Sequence, residues 1–165
     1  MKIPLTFVTE KNLDQKIEAL LQESESVHGY NTLAVGSLAA YSKEFLKGKV
    51  EDYDSNYKKA LRLTKGLSYT LKDVEELSKR IGPGEDETLG IYLSAVINRK
   101  IRKKDEVVLS PNGLLTGLGM YLRKGTVIIE GDTRNATGRC MKGGKVIVKG
   151  SVRNDTGESM EDGEI

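Results

Sequence analysis

The stretch GTVIIEGDTRNATGRCMKG, residues 125–143, is followed without a gap by GKVIVKGSVRNDTGESMED, residues 144–162. At an offset of 19 the two superpose Gly131 on Gly150, Arg134 on Arg153, Asn135 on Asn154, Thr137 on Thr156, Gly138 on Gly157 and Met141 on Met160. Another step back reaches a weaker copy, EVVLSPNGLLTGLGMYLRK (106–124), which sets Gly119 under Gly138 and Leu122 under Met141. A fixed period near twenty is the mark of stacked structural units, each completing its neighbour.

Every copy carries one β-competent run, at 107–110, 126–130 and 145–149. Equivalent runs are expected to pair in parallel, about 4.8 Å apart. Glycines take the corners, where the backbone needs positive φ or close approach, and Leu122, Met141 and Met160 form an adaptable apolar column. Period-two alternation places Val108, Val127 and Val146 inside with Ile129 and Val148. It places Leu109, Ile128 and Ile147 outside, as an aliphatic stripe that another segment or subunit should cover. Glu130 and Lys149 should meet across neighbouring copies as a surface ion pair.

The glycines shift in density along the chain, seven in residues 1–104 and eleven in 105–165. A boundary near residue 105 follows. The expected fold is α+β: an N-terminal α-helical domain (1–104), then a short right-handed parallel β-helix of about three 19-residue coils (105–165).

The pattern G-x-x-G-x-x-M-x-G-G-x-I-x-V-x-G, carried here by Gly138, Met141, Gly143, Gly144, Val146, Val148 and Gly150, then Gly157, Met160 and Gly163, resembles the GXGXG domain. That domain forms the C-terminal β-helix of the large chain of glutamate synthase, and also occurs in formylmethanofuran dehydrogenase. The resemblance covers residues 105–165 only. It implies a scaffold and contact surface within an oxidoreductase or amidotransferase complex, with catalysis elsewhere. Glutamate synthase relies on an N-terminal cysteine, a flavin and an iron–sulfur cluster. This chain opens Met1-Lys2, has a single cysteine and shows no flavin fingerprint, so none of those residues, and no cofactor, carries over.

Helical patterns fill the first hundred residues. LDQKIEALLQE (13–23) has apolar positions at i, i+4, i+7 and i+8. TLAVGSLAAYSKEFLKG has a stop signal at Gly48. EDYDSNYKKALRLTKG is acidic at its start and basic at its end, complementing the helix dipole. Thr70 and Asp73 are spaced for a capping box ahead of LKDVEELSKRI, and EDETLGIYLSAVINRK follows Gly82-Pro83-Gly84. MKIPLTFV is expected to form a short strand. The last two helices, with the basic run Arg99–Lys104, also fit a helix-turn-helix that dimerises through the β segment. However, the second helix would present Glu85-Asp86-Glu87 to phosphates.

The chain has 165 residues, 38% hydrophobic and 30% charged, with a net charge of +2. That near-balance gives no global electrostatic drive toward nucleic acid. No apolar run approaches membrane-spanning length and no secretory h-region opens the chain, so a cytoplasmic address is expected. Cys140 alone can form neither an internal disulfide nor a cysteine-based metal site. Its neighbours Arg139 and Lys142 are cationic, but no general base is placed beside it, so an inert corner residue is expected. His28 lacks a metal-spaced partner. Arg134 and Arg153, at one corner of adjacent copies, are the candidate anion-binding pair, with Asp132, Asp155 and Glu158 near enough to neutralise them. No catalytic constellation emerges. The expected function is a non-catalytic scaffold or assembly protein, acting as a homo-oligomer or as a subunit of a larger enzyme.

Overall fold

The structure, a computed structural model, describes residues 29–48 and 51–165. MKIPLTFV, LDQKIEALLQE and His28 lie outside the described residues. Four helices precede the sheet among the described residues. Helix α1 (Thr32–Leu46) begins at Asn31, whose side chain accepts the N–H groups of Leu33 and Ala34, and it ends ahead of Gly48 at φ +59°. Asp52 caps α2 (Tyr53–Leu63) in the same way through Asp54 and Ser55. Helix α3 (Leu71–Lys79) starts with the expected capping box, Thr70 and Asp73 each bonding the other's backbone N–H. Helix α4 (Leu89–Lys100) is buried continuously from Leu89 to Ile97. It lies so close to the chain after the first strand that a Cβ on Gly90 would run into the Thr116 carbonyl oxygen.

The strands are β1 (Glu106–Leu109), β2 (Thr126–Ile129), β3 (Lys142–Val148) and β4 (Asp162–Glu164). They form one sheet in the order β1-β2-β3-β4, every pair parallel. Val127 pairs with Val146 and Ile129 with Val148, as the 19-residue offset requires.

The architecture is not a three-coil β-helix. It is an α+β fold with a single open parallel sheet. Only one run per repeat is β-competent, and the intervening segments are glycine turns. Positive φ at Gly117, Gly119, Tyr121, Ala136, Gly138 and Cys140 breaks any extended run there. The turns of successive repeats are joined by main-chain bonds such as Gly117 N–H to Asn135 O and Gly138 N–H to Leu118 O. Outside the named strands, a lone bridge between Leu115 and Thr133 is the only further β pairing among the described residues. Among the described residues no second or third sheet face closes.

The first copy is also out of phase. Val107, not Val108, pairs with Val127, and Leu109 pairs with Ile129. A one-residue change of register turns every side chain to the opposite face, so Leu109 is fully buried and Val108 takes the outer position beside Ile128. The gapless alignment through Gly119 and Leu122 hid this shift, which the segment around Pro111-Asn112-Gly113 absorbs.

Glycines and branched residues oppose each other across the layers. A Cβ on Gly119 would lie 2.6 Å from Val146 Cγ2, and one on Gly138 would collide with Ile165 Cδ1. Helices and sheet share one hydrophobic core, from Leu38, Phe45 and Tyr92 to Leu109, Ile129 and Met141. Tyr92 is fully buried, its ring tilted against Phe45 at 5.7 Å and its hydroxyl donating to Leu38 O at 2.8 Å.

The free edge of β1 is sealed by α3. Glu75 Oε1 accepts the Val108 N–H at 2.8 Å, and Ser78 Oγ accepts the Ser110 N–H at 3.1 Å while donating to Glu75 O at 2.7 Å. Ile81 O then accepts from Asn112 N–H at 2.9 Å. Glu75 is nearly buried, and its second oxygen meets Lys72 Nζ at 2.8 Å. Side chains here replace the missing strand.

Two outcomes follow. Glu75→Ala orphans a half-buried N–H and should cost about 1 kcal/mol in urea unfolding, with faster amide exchange at Val108 and substantial recovery in Glu75→Gln. Burial pushes the Tyr92 hydroxyl well above the ordinary tyrosine range. The neutral form is therefore favoured in the fold. Its stability contribution is whole below the unfolded-state value of about 10 and is lost as pH rises past it. Tyr92→Phe should lose about 1 kcal/mol at neutral pH, yet unfold at higher pH in an alkaline titration followed by circular dichroism.

Candidate functional site

The two edges of the sheet differ. Whereas β1 is sealed, β4 has three exposed residues and packs against β3 alone among the described elements. Its pairing with β3 is broken by a register shift between Lys142 and Lys145. Directly after β4 comes Ile165, one of the four large hydrophobic residues exposed among those described, at 42%; Val152, at 43%, is another, in the turn after β3. Met160 is half-buried beside the core, and a Cβ on Gly157 would lie 3.7 Å from its sulfur.

Charge on this layer is one-sided. Residues 150–165 carry Asp155, Glu158, Glu161, Asp162 and Glu164 against Arg153 alone. Three of these carboxylates meet cations of the layer beneath. Lys142 Nζ reaches Glu161 at 2.8 Å, Lys145 Nζ reaches Glu164 at 2.9 Å, and Arg139 Nη1 bonds Glu158. Each pair is 19 residues apart. The carboxylate side chains remain 46–66% exposed, so these contacts add little stability and act mainly as register markers. The Arg139 guanidinium also approaches Asp54 at 3.8 Å, which gives it an acid on either side. Glu161 and Glu164 have a cation on one side only among the described residues.

The expected Glu130–Lys149 pair forms at 3.2 Å. Hydrogen bonds from Ser110 and then Lys149 hold the Glu130 carboxyl below the usual range.

Arg134 and Arg153 are adjacent through their backbones, Arg153 N–H donating to Arg134 O at 3.2 Å. Their side chains form no joint cradle. Arg134 Nε pairs with Glu87 at 2.6 Å, back on the helical side, and Arg153 has no side-chain partner among the described residues. Two of the three expected neutralising acids are engaged elsewhere, Asp132 accepting the Ser151 N–H and Glu158 taking Arg139. Of the expected outer stripe, Ile128 and Ile147 are half-buried neighbours on β2 and β3, while Leu109 is a core residue. Cys140 is a half-buried free thiol at φ +55°, its N–H bonded to Glu158 O.

Sequence reasoning missed the Lys142–Glu161 and Lys145–Glu164 pairs. The signal was present, because the same 19-residue offset that aligns the glycines aligns these opposite charges. Among the described residues no helix is long and apolar enough to cross a membrane, and no His, Cys, Asp and Glu side chains gather as a metal site. No family model, curated protein or solved structure matches the chain.

Gly138→Ala should loosen this end. An alanine at φ +67° is strained by about 1–2 kcal/mol, and its methyl group would displace Ile165. Hydrogen exchange should quicken at residues 162–164 while Val108 stays protected.

Proposed function

We propose that the protein is a non-catalytic scaffold whose open sheet edge, β4 with Ile165, docks a basic extended segment of a larger partner protein. The observation that carries this reading is the asymmetry of the sheet: one edge is sealed by Glu75 and Ser78, the other is exposed. An uncovered strand offers unpaired backbone groups to an added strand. Charge selects the occupant. A second copy would set acidic end against acidic end, whereas a basic strand would give Glu161 and Glu164 a second cation, much as Arg139 serves two acids.

The glycine–methionine pattern resembling glutamate synthase supports a place within an oxidoreductase or amidotransferase complex. A helix-turn-helix regulator would need α4 free to enter a major groove. Leu89–Ile97 are buried throughout, which favours the scaffold.

The chain supplies its own probe. A peptide of residues 142–149, KGGKVIVK, carries the lysine spacing that already reads this acidic register from beneath. Titrated into the labelled protein, it should shift the amides of residues 161–165, and an analogue with glutamate in place of every lysine should not. Amides that stay still up to about 1 mM, or equal response to both peptides, would refute the docking surface. A dimer in sedimentation velocity that survives charge reversal of Glu158, Glu161 and Glu164 would replace the partner with a second copy.

A further inference from the structure

A second feature lies away from the open edge. Between α2, the end of α4 and the turn after Leu122, a cleft of about 500 Å³ is lined by Tyr57, Tyr121 and four cations, Lys58, Arg99, Arg123 and Lys124. No carboxylate lines it. Lys58, Arg123 and Lys124 make no ion pair or side-chain hydrogen bond among the described residues. Four like charges around one hollow repel each other unless an anion joins them. Elsewhere Arg134, Arg139, Lys142 and Lys145 each have an acid beside them.

Arg99 is held in place by the helices on either side. Its Nε donates to Thr64 Oγ1 at 3.2 Å and its Nη2 donates to Leu61 O. A guanidinium has five N–H donors, so three remain for a ligand, already oriented. The aromatic wall is equally fixed. Tyr57 and Tyr121 pack at 4.7 Å between ring centroids. Asn98 Nδ2 donates to the Tyr57 hydroxyl at 2.8 Å and to Met120 O at 2.8 Å. The Tyr57 hydroxyl therefore accepts from Asn98, while its own proton has no acceptor among the described residues.

We infer that this cleft is a binding site for a phosphate monoester carried on a planar ring, with nucleoside-monophosphate dimensions. The cations match a phosphate dianion, for which Arg supplies planar bidentate donors. The tyrosine pair supplies an apolar face for a flat ring. The volume lies within the range of small-ligand pockets. This site is independent of the docking edge, sharing no residue with it.

Calorimetric titration of the full chain with AMP, adenosine and inorganic phosphate separates the contributions. AMP should bind, with adenosine and phosphate each weaker by about tenfold or more. The exposed pair Arg123→Ala/Lys124→Ala, with its fold checked by circular dichroism, should weaken AMP by about tenfold, and added salt should do likewise. Tyr57→Phe should weaken AMP less and leave the preference over phosphate intact. No heat with AMP up to about 5 mM, or unchanged affinity in the double variant, would overturn the site. Equal binding of phosphate and AMP would overturn the role of the ring. A single-stranded oligonucleotide binding about a hundredfold tighter than AMP would replace the small ligand with a nucleic-acid strand.

Discussion

A parallel sheet cannot end itself, and the fold depends on how the first strand ends. The N–H groups of Val108 and Ser110 face away from β2, toward α3, and find no strand partner there. Glu75 and Ser78 meet them with two oxygens at hydrogen-bonding distance. Position of these two side chains is set by α3, whose own start is fixed by Thr70 and Asp73. Asp73 in turn accepts the backbone N–H of Asn31, the cap of α1. A short chain of polar contacts thus links two helix caps to the edge of the sheet. Asn31, Asp73, Glu75 and Ser78 are all buried or nearly so, so loss of one leaves its neighbour unsatisfied at a cost.

From that sealed edge the layers build outward by repetition. Two corner glycines lack the one atom that would strike a branched residue two repeat units further along the chain, Gly119 for Val146 and Gly138 for Ile165. Lysine above glutamate, or the reverse, then marks the same register on the surface. The consequence is a sheet with unlike edges: one covered by a helix that bonds its N–H groups, the other acidic and exposed. A balanced net charge conceals this polarity, as it conceals the cationic cleft on the flank.

Much of the backbone was legible in the sequence because its determinants are local or periodic. Asn31, Asp52 and Thr70 start helices through bonds spanning two or three residues, and Gly48 closes α1. The pairing of Val127 with Val146 follows from a gapless repeat. The phase of β1 was not legible, since matched spacing at Gly119 and Leu122 says nothing about slack taken up near Pro111. The closed coil also failed, because a period reports stacking and does not report whether the turns between strands are themselves extended. The cleft was invisible for another reason. Tyr57, Arg99 and Arg123 come from three separate segments, and none is unusual on its own. Arg134 was misjudged similarly, its partner Glu87 lying 47 positions away in a different element.

The 19-residue correspondence between β2 and β3 also constrains how such a chain can change length. Loss or gain of one whole unit would keep inward residues inward and move the acidic end by a single strand spacing, about 4.8 Å. Loss of one residue from within a strand would invert its faces and bring Lys145 or Lys149 into the apolar interior. Tolerated length variants of this protein should therefore come in whole increments, with odd residues admitted only in the turns.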